Sequence, residues 1–515
     1  MKMQGLRAFT MSFLKAVGTI CALLLMTHLM PVHGEPVVAC RGPGESLACK
    51  CLDQYVSCDY DDLTEVPTGV PNNTATLILW GNKITSIPTT AFANLPLLNS
   101  IQLSGNKISS VDVGAFDWAA ESLTRLVLNN NKLEALEVGV FRNLSKLAYL
   151  DLEDNLISSF SVELFRGLSS LLSIDLSENR ISSLPVGIFA GMPALSKVML
   201  ARNNIKSIDN VLAVLPSTLE SLDLNGNSVG NLRAGVFSGF PKLESLKLEA
   251  NEMDSLPKNL FLGLDKLILL HLDNNMLVEL NRSSFGDHPR LQHFSFANNS
   301  IVRIERGFFS TFLKLRQIDL SGNDLSSLTP GIFDNLTYLK FLHLEGNMLD
   351  NLDANVFRGL EDLWYLFLQE NDIKSLPSTI FYGLRNLKVL YLHTNELTVI
   401  ENGTFSDLPK LEDIYLEKNP LVNITCDVLP SQNVSTKLWE VDVDCTCEWK
   451  PMYDCPEFPW FDSIVTCISP IRWFGNSLDE IPKNALTCAA TRMVGLNPIG
   501  MAALCLISLY VTLNG

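Results

Sequence analysis

Side chains that could take part in chemistry occur in pairs 24 and 22 residues apart along this sequence. Asp151 and Asp175 lie 24 residues apart and could act as a general acid and base. His271 and His293 could share a metal ion, because imidazole is a common metal ligand, although no spacing demands one. The sequence has no HExxH, no GxSxG and no phosphate-binding loop. We therefore predict no enzymatic activity, no cofactor and no metal, and we expect both aspartates to be open to solvent with a low pKa.

Ten cysteines gather at the two ends of the chain once Cys21 and Cys505 are set aside. They are Cys40, Cys49, Cys51, Cys58, Cys426, Cys445, Cys447, Cys455, Cys467 and Cys488. An even number of cysteines at the ends, and none between them, predicts disulfides formed in an oxidising compartment. Paired C-x-x-C motifs are absent, so a zinc site is not favoured. The four N-terminal cysteines allow three pairings, which the sequence leaves open.

Both ends of the chain resemble targeting segments. Residues 1–34 place three cations before a short apolar run that ends in small residues, as a secretory signal peptide does. Residues 489–515 begin with small residues and end in an apolar stretch, which favours a lipid-anchor signal over a membrane helix. The formal net charge is −17, so the chain offers no electrostatic surface for nucleic acid.

An asparagine recurs every 24 residues through most of the chain, with one interval of 25. The fifteen copies are Asn82, Asn106, Asn131, Asn155, Asn179, Asn203, Asn227, Asn251, Asn275, Asn299, Asn323, Asn347, Asn371, Asn395 and Asn419. Apolar residues typically precede it at positions −8, −5 and −3, and Phe follows ten residues later in thirteen copies. Ala213 replaces that Phe in one turn, and an extra residue near Trp118 lengthens another. We expect local convex bulges at both places, and a binding or dimer contact is the alternative.

Each repeat combines a short strand with a polar turn. Period-2 alternation before the Asn predicts a strand with one face inward and the other toward solvent. A buried side-chain amide has two donors and an acceptor oxygen, so it can satisfy peptide groups of its own and of adjacent turns. We expect the Phe to fill the space beneath the convex side. Because one turn cannot bury its own apolar face, the fifteen turns should stack around a continuous core.

These motifs resemble the extracellular leucine-rich repeat proteins of the typical 24-residue class. The resemblance implies an α/β repeat fold: a right-handed, horseshoe-shaped solenoid with a parallel concave sheet, a mostly irregular or 3-10 convex side and disulfide-bonded caps. The stretch "CKCLDQYVSCDYDDLTEVP" resembles the N-terminal cap. "CTCEW" and "CISPIRWFGNSLDEIPKNALTC" resemble the C-terminal cap, although Cys426 and Cys455 depart from its pattern and leave its pairing open. The expected divisions are 1–34 signal peptide, 35–71 N-terminal cap, 72–421 repeat array, 422–488 C-terminal cap and 489–515 hydrophobic tail.

Positions −6, −4 and −2 from each Asn should point to the concave, solvent side of the sheet. Early turns carry Tyr149, Asp151, Glu153, Asp175 and Ser177 there. Late turns carry aromatic and histidine side chains, which are Phe341, His343, Tyr365, Phe367, Tyr391, His393 and Tyr415. Exposed aromatics contiguous on one sheet are typical anchors of protein interfaces, so we predict ligand binding at these seven residues. The alternative is that sheets favour Tyr and Phe in general.

Histidines and glycosylation motifs follow the same division. His271, His293, His343 and His393 fall at concave positions and His288 does not, so the four could contact a ligand or make its release depend on pH. Ordinary solvated or stacked histidines are the alternative. N-x-S/T motifs predict glycans at Asn72, Asn143, Asn281, Asn298, Asn335, Asn402, Asn423 and Asn433. All but Asn298 lie away from the concave strand positions, so glycans would leave the aromatic surface uncovered.

The sequence therefore predicts a binding protein on the extracellular side of the plasma membrane: an adhesion molecule, a co-receptor or a recognition receptor. Its ligand would be an extracellular protein or glycoprotein, and the C-terminal lipid anchor or helix would hold it to the membrane. The chain is similar to chaoptin-like and connectin-like adhesion proteins and to variable lymphocyte receptors, which share the caps and a lipid-anchored end. A secreted structural protein of the extracellular matrix is the alternative, and the apolar tail argues against it. Homodimer formation is left open.

Overall fold

The architecture is taken from a computed structural model, which describes residues 40–41, 48–230, 232–421, 428, 434–437, 441–444 and 465–469. The predicted signal peptide 1–34, the tail 489–515 and the sequons Asn423 and Asn433 lie outside these residues. The side chains of several predicted cap cysteines also lie outside them, namely Cys40, Cys426, Cys445, Cys447, Cys455, Cys467 and Cys488.

Short strands form where the sequence alternates between apolar and polar residues. In chain order they are β1 (Cys40–Arg41), β2 (Ala48–Leu52), β3 (Tyr55–Ser57), β4 (Thr76–Ile78), β5 (Ser86–Ile87), β6 (Ser100–Gln102), β7 (Ser110–Val111), β8 (Arg125–Val127), β9 (Tyr149–Asp151), β10 (Ser173–Asp175), β11 (Lys197–Met199), β12 (Ser221–Asp223), β13 (Ser245–Lys247), β14 (Leu269–His271), β15 (Glu279–Leu280), β16 (His293–Ser295), β17 (Arg303–Ile304), β18 (Gln317–Asp319), β19 (Phe341–His343), β20 (Tyr365–Phe367), β21 (Val389–Tyr391), β22 (Asp413–Tyr415), β23 (Ser435–Lys437), β24 (Val441–Asp444) and β25 (Val465–Ser469).

Parallel pairing in register joins one strand of every repeat into a single sheet. The central residue of each strand pairs with its equivalent in the next turn, as Leu342 does with Leu366 and Leu366 with Leu390. The parallel pairing runs from β3 to β23, and β2 adds to the N-terminal edge in the antiparallel sense. The predicted solenoid with a parallel sheet is confirmed.

Apolar side chains fill the interior at the expected positions. Leu363, Leu366 and Leu368, at −8, −5 and −3 of one turn, are completely buried. The repeated phenylalanines stack beneath the convex side. Their ring centroids are 5.7–6.5 Å apart from Phe92 to Phe189 and 5.8–6.5 Å apart from Phe309 to Phe405. Such spacing is favourable for parallel aromatic rings, so within these two runs the rings hold neighbouring turns together on the side of the core opposite the sheet.

The two irregular turns fold as short helices. The turn with Ala213 contains α1 (Asp209–Leu212), which buries Val211 and Leu212 where the ring is missing. The extra residue near Trp118 is taken up by a 3-10 helix (Asp117–Ala119), and a second 3-10 helix spans Arg282–Ser284. The rest of the convex side within the described array consists largely of turns and bends.

Each repeated asparagine joins two adjacent turns. The amide of Asn347 donates to the carbonyls of Leu320 and Leu344, both at 3.0 Å, and its oxygen accepts from the N–H of Leu325 at 3.1 Å. The other copies bond in the same pattern. All fifteen are 2–8% exposed, so each satisfies peptide groups that water cannot reach.

The residue before each repeated asparagine adopts the left-handed conformation, with φ between +49° and +70°. This conformation lets the chain turn sharply out of the strand. Gly346 adopts it without strain, whereas Thr394, at φ +55°, bears a steric cost of about 1–2 kcal/mol.

A disulfide closes the N-terminal end of the array. Cys49 in β2 is bonded to Cys58, which follows β3, and Cys51 is also disulfide-bonded. The bridge links β2 to the end of β3, the antiparallel pair at the N-terminal edge of the parallel sheet.

Candidate functional site

Three rows of side chains line the concave face, at positions −6, −4 and −2 from each repeated asparagine. The late strands alternate between half-buried, buried and half-buried residues, as in Phe341–His343 and Tyr365–Phe367. All seven residues of the predicted ligand site lie in these rows and are half-buried: Phe341, His343, Tyr365, Phe367, Tyr391, His393 and Tyr415. We expected them to face water. They are less exposed because neighbouring rings cover one another.

Four of these rings form a continuous stack along the −4 row. The centroid distances are 4.1 Å from His343 to Phe367, 4.8 Å from Phe367 to Tyr391 and 4.5 Å from Tyr391 to Tyr415. Adjacent ring planes differ by only 8–13°. In-register parallel strands lie about 4.8 Å apart, so identical positions on successive strands hold flat rings at stacking distance. We call His343, Phe367, Tyr391 and Tyr415 the late-turn stack.

Further aromatic groups border the late-turn stack. Phe341 and Tyr365 stack on each other at 5.3 Å in the −6 row, and Tyr365 lies 6.2 Å from Phe367. Trp364 meets the ring of Phe341 edge-on at 6.5 Å and carries the ammonium of Lys340 at 3.9 Å from its ring centre. Sequence reasoning missed Trp364 because it precedes the strand and does not fall in the three rows.

Burial and neighbouring polar groups shift the pKa values of His343 and Tyr391 in the late-turn stack. Burial lowers the pKa of His343, but its hydrogen bond to Glu345, with Nδ1 and Oε1 3.1 Å apart, and the charge of Asp319 outweigh burial and raise the pKa above its usual value. Burial and the nearby hydroxyls of Tyr415 and Tyr365 raise the pKa of Tyr391 to about 12. The tyrosine is therefore neutral and able to donate a hydrogen bond at physiological pH.

In the early turns, carboxylates take the −4 positions that rings occupy in the late turns, at Asp151 and Asp175. Asp151 is only 7% exposed, and it accepts from the Tyr149 hydroxyl at 3.2 Å and the Glu153 N–H at 3.1 Å. Burial is the main cause that raises the pKa of both Asp151 and Asp175. Burial and the charges of Asp175 and Asp151 raise the pKa of Glu153 to about 7. The prediction that these aspartates are open to solvent with a low pKa is wrong, because neighbouring strands cover them. We call Tyr149, Asp151, Glu153 and Asp175 the early acidic patch.

The early acidic patch has a cation of its own on the concave face. The guanidinium of Arg125 lies 3.8 Å from the centre of the Tyr149 ring. Burial and the charge of Asp151 raise the pKa of Tyr149 to about 12, although Arg125 acts in the opposite direction. The arrangement is a cation–π contact beside three carboxylates, which partly offsets their mutual repulsion.

His271 pairs with carboxylates and not with His293. Its Nδ1 lies 2.9 Å from Glu249 Oε1 and 3.9 Å from Asp273 Oδ2. The pKa of His271 is raised because these acids outweigh the effect of burial, whereas burial lowers the pKa of His293. The donor atoms of Glu249, His271 and Asp273 lie within 4.8 Å of one another, as do those of Asp151, Glu153 and Asp175. Both groups offer nitrogen and carboxylate oxygen atoms or carboxylate oxygens alone, which divalent cations can bind. The hydrogen bonds and ion pairs described above already explain where these side chains lie.

The remaining predicted histidine and glycan positions are as follows. His288 is fully buried, with Nδ1 3.2 Å from the Leu264 carbonyl, and burial lowers its pKa. The sequon asparagines Asn72, Asn143, Asn298, Asn335 and Asn402 are exposed, and Asn281 is half-buried. Among these six, only Asn298 adjoins the concave rows, immediately before Asn299.

The repeat array matches a known family along its whole length. The "Leucine rich repeat" profile matches residues 72–118, 121–181, 169–218, 217–277, 266–325, 314–373 and 367–421. The chain belongs to the leucine-rich repeat family. Leucine-rich repeat proteins are in general interaction scaffolds and not enzymes.

Named relatives share part of the leucine-rich repeat array. Leucine-rich repeat-containing protein 3 of Danio rerio is 39% identical over 101 residues, which is 19% of this chain and 38% of that protein. Human leucine-rich repeat-containing protein 3B is 38% identical over 130 residues, 25% of this chain and 49% of the relative. Human opticin is 39% identical over 120 residues, 23% of this chain and 32% of opticin. The chain thus spans less than half the length of each of these curated relatives.

Solved leucine-rich repeat structures share the fold. A leucine-rich repeat protein of Leptospira interrogans aligns with a TM-score of 0.62 and 24% identity, covering 72% of this chain and 91% of the other. The mouse RP105/MD-1 complex gives 0.61 and 22%, covering 81% and 76%. The Drosophila Toll–Spatzle complex gives 0.59 and 23%, covering 81% and 58%. At these identities the likeness concerns the fold alone.

None of the helices in the described part of the chain has the length and apolar character that a membrane crossing requires.

Proposed function

We propose that this protein is a cell-surface binding protein that holds an extracellular protein or glycoprotein through the late turns of its concave sheet. The observation that carries the proposal is the late-turn stack with its bordering rings Phe341 and Tyr365. Flat aromatic groups on a rigid sheet supply large contact areas with little loss of side-chain entropy, because their positions are already fixed. His393 meets the edge of Tyr391 at 6.3 Å and extends this surface into the −2 row.

The distribution of sequons supports this choice of surface. Asn335 and Asn402 are exposed near the late turns but lie in the loops after the strands. Glycans at these positions would extend from the flanks and leave the stacked rings accessible. Two solved neighbours are complexes with protein partners, Toll with Spatzle and RP105 with MD-1. In this proposal the secretory signal directs the protein out of the cell, and the C-terminal lipid anchor holds it on the extracellular side of the plasma membrane.

The binding site is tested by removing two tyrosine rings from the full-length protein displayed on cells. We expect Tyr365→Ala with Tyr391→Ala to weaken binding of a ligand found in a screen of extracellular proteins by at least about tenfold, since each ring would be an interface anchor. The matched control is Tyr338→Ala with Tyr382→Ala, because those tyrosines are 47% and 64% exposed in loops away from the concave rows. Equal loss in both double variants would refute a concave site.

Membrane attachment is tested separately with a phospholipase C specific for glycosylphosphatidylinositol. Release of the full-length protein from intact cells is the expected result. Constitutive appearance in the medium without the enzyme would favour the alternative, a secreted component of the extracellular matrix.

A further inference from the structure

The late turns combine aromatic rings with negative charge. The fifteen concave positions of the last five turns include Asp319, Glu345, Asp413 and Glu417, but no Lys or Arg. Across all forty-five concave positions there are ten carboxylates and three cations, Arg125, Lys197 and Lys247. A partner that docks on this face therefore meets a negative potential, which favours a basic surface.

Some carboxylates elsewhere on the face have permanent cations from the chain itself, whereas Glu249 and Asp273 pair with His271. Arg125 lies over Tyr149 beside the early acidic patch, and the ammonium of Lys247 is 3.3 Å from Asp223 Oδ2. In the late turns the basic group beside Glu345 is His343. A histidine loses its charge near neutral pH, so it is a weaker counter-ion than arginine.

Two acceptor atoms next to the late-turn stack lack donors. Glu345 Oε2 and Gln369 Oε1 are buried, and neither has a hydrogen-bond partner among the described residues. They occupy the −2 row of adjacent strands, so their residues lie about 4.8 Å apart along the sheet. The side chain of Glu345 is 26% exposed as a whole, so a rotation of its carboxylate would bring Oε2 to the surface. Supplying a donor would remove the cost of an unsatisfied buried acceptor.

We propose that the ligand inserts an arginine side chain into the late turns, with its guanidinium bonded to Glu345 and Gln369 and its methylenes lying along the edges of Phe367 and Tyr391. Stacking covers the ring faces, so the rings contact the apolar stem and the polar row receives the charged head. Guanidinium presents several N–H donors in one plane and can reach acceptors on two neighbouring strands, whereas an ammonium is a single point of charge. This inference rests on the proposed concave-face function and names the chemistry of the partner.

The test uses a phage library of random peptides selected on the full-length protein. We expect the selected peptides to be enriched in arginine. Replacing that arginine by citrulline should abolish binding, and replacing it by lysine should weaken binding about tenfold. The variant Glu345→Gln should weaken the same peptides about tenfold. Glu361→Gln is the matched control and should have no effect, because Glu361 is exposed in a late-turn loop away from the rows.

The outcomes separate this inference from the function on which it rests. Some peptides could depend on Tyr365 and Tyr391 but contain no essential arginine, or could bind Glu345→Gln as tightly as the wild type. Either result would overturn the arginine site but not the proposed concave function. Equal dependence on arginine and lysine would also overturn it in favour of a general basic ligand. Peptides that bind the tyrosine double variant unchanged would overturn the concave function itself.

Discussion

The early acidic patch and the late-turn stack share the −4 row of one sheet. Neighbouring side chains repel one another in the patch, whereas they attract one another in the stack. In the late turns, ring centroids 4.1–4.8 Å apart form favourable parallel contacts. In the early turns, Asp151 and Asp175 occupy equivalent positions on adjacent strands, and each raises the pKa of Glu153. An in-register sheet brings like side chains together, which stabilises rows of rings and destabilises rows of charges.

The scaffold under the two regions is the same, and this makes their comparison informative. Asn155 supports the early acidic patch and Asn371 the late-turn stack, with matching hydrogen bonds to the turns on either side. Any difference in behaviour between the regions should therefore come from the concave side chains.

The largest effect should come from breaking that shared scaffold. We expect Asn155→Ala and Asn371→Ala each to lower the free energy of unfolding by about 2–4 kcal/mol, because each leaves one buried N–H and two buried carbonyls without the amide. Urea unfolding of the two variants measures the loss. A clearly smaller loss in one variant would show that the scaffold, and not only the face, differs between the two regions.

A smaller effect should follow from removing one charge of the early acidic patch. The folded-state pKa of Glu153, about 7, exceeds its ordinary value of 4.5, so the ionised carboxylate destabilises the fold as pH rises between these values. Glu153→Gln should match the wild type at pH 4 and be about 1 kcal/mol more stable at pH 8, after allowance for solvent screening of a half-buried group.

The control for Glu153 is Glu134→Gln, which alters an exposed glutamate outside the concave rows. It should change the free energy of unfolding little at either pH. A gain from Glu153→Gln that is the same at pH 4 and pH 8 would contradict a charge effect.

The smallest effect concerns histidines of the late turns. Because the pKa of His343 is raised above 6.5, the charged His343–Glu345 pair stabilises the fold below pH 6.5, and this contribution disappears as pH rises through the folded-state pKa. His343→Gln should therefore cost about 0.5–1 kcal/mol more at pH 5.5 than at pH 8.5, measured by urea unfolding. The loss of ring stacking is common to both pH values and cancels.

His393 provides an internal control of opposite sign. Burial lowers its pKa, so the wild-type histidine destabilises the fold as pH falls below 6.5. His393→Gln should be relatively more favourable at pH 5.5 than at pH 8.5. The same sign in both variants would contradict the role assigned to Glu345.

The repeat period determines much of the fold. Fifteen asparagines at nearly constant spacing predict the strands, the core positions and the stacked phenylalanines. The pattern within one repeat predicts the structure of a turn, and its recurrence predicts how the turns stack. Period-2 alternation also places the aromatic side chains in the concave rows. The short helix at Asp209–Leu212 is not evident, because the sequence shows only that Phe is missing at Ala213.

The details of the candidate site depend on contacts between turns, which a periodic pattern does not specify. The burial of Asp151 and the pairing of His271 with Glu249 arise from side-chain directions on neighbouring strands. Alternation says which side of the sheet a residue occupies but not how far its neighbours cover it. The sequence also does not predict the left-handed conformation of the residue before each asparagine. A glycine such as Gly346 is compatible with that conformation, but Thr394 gives no indication of it.

The late-turn stack has a spectroscopic consequence. Tyr391 and Tyr415 are identical chromophores held 4.5 Å apart with planes only 13° from parallel. Their electronic transitions must couple, which gives near-ultraviolet circular dichroism bands that isolated tyrosines lack. The concave surface thus contains its own optical reporter. A ligand that shifts either ring would change these circular dichroism bands, so its binding could be detected without an added label.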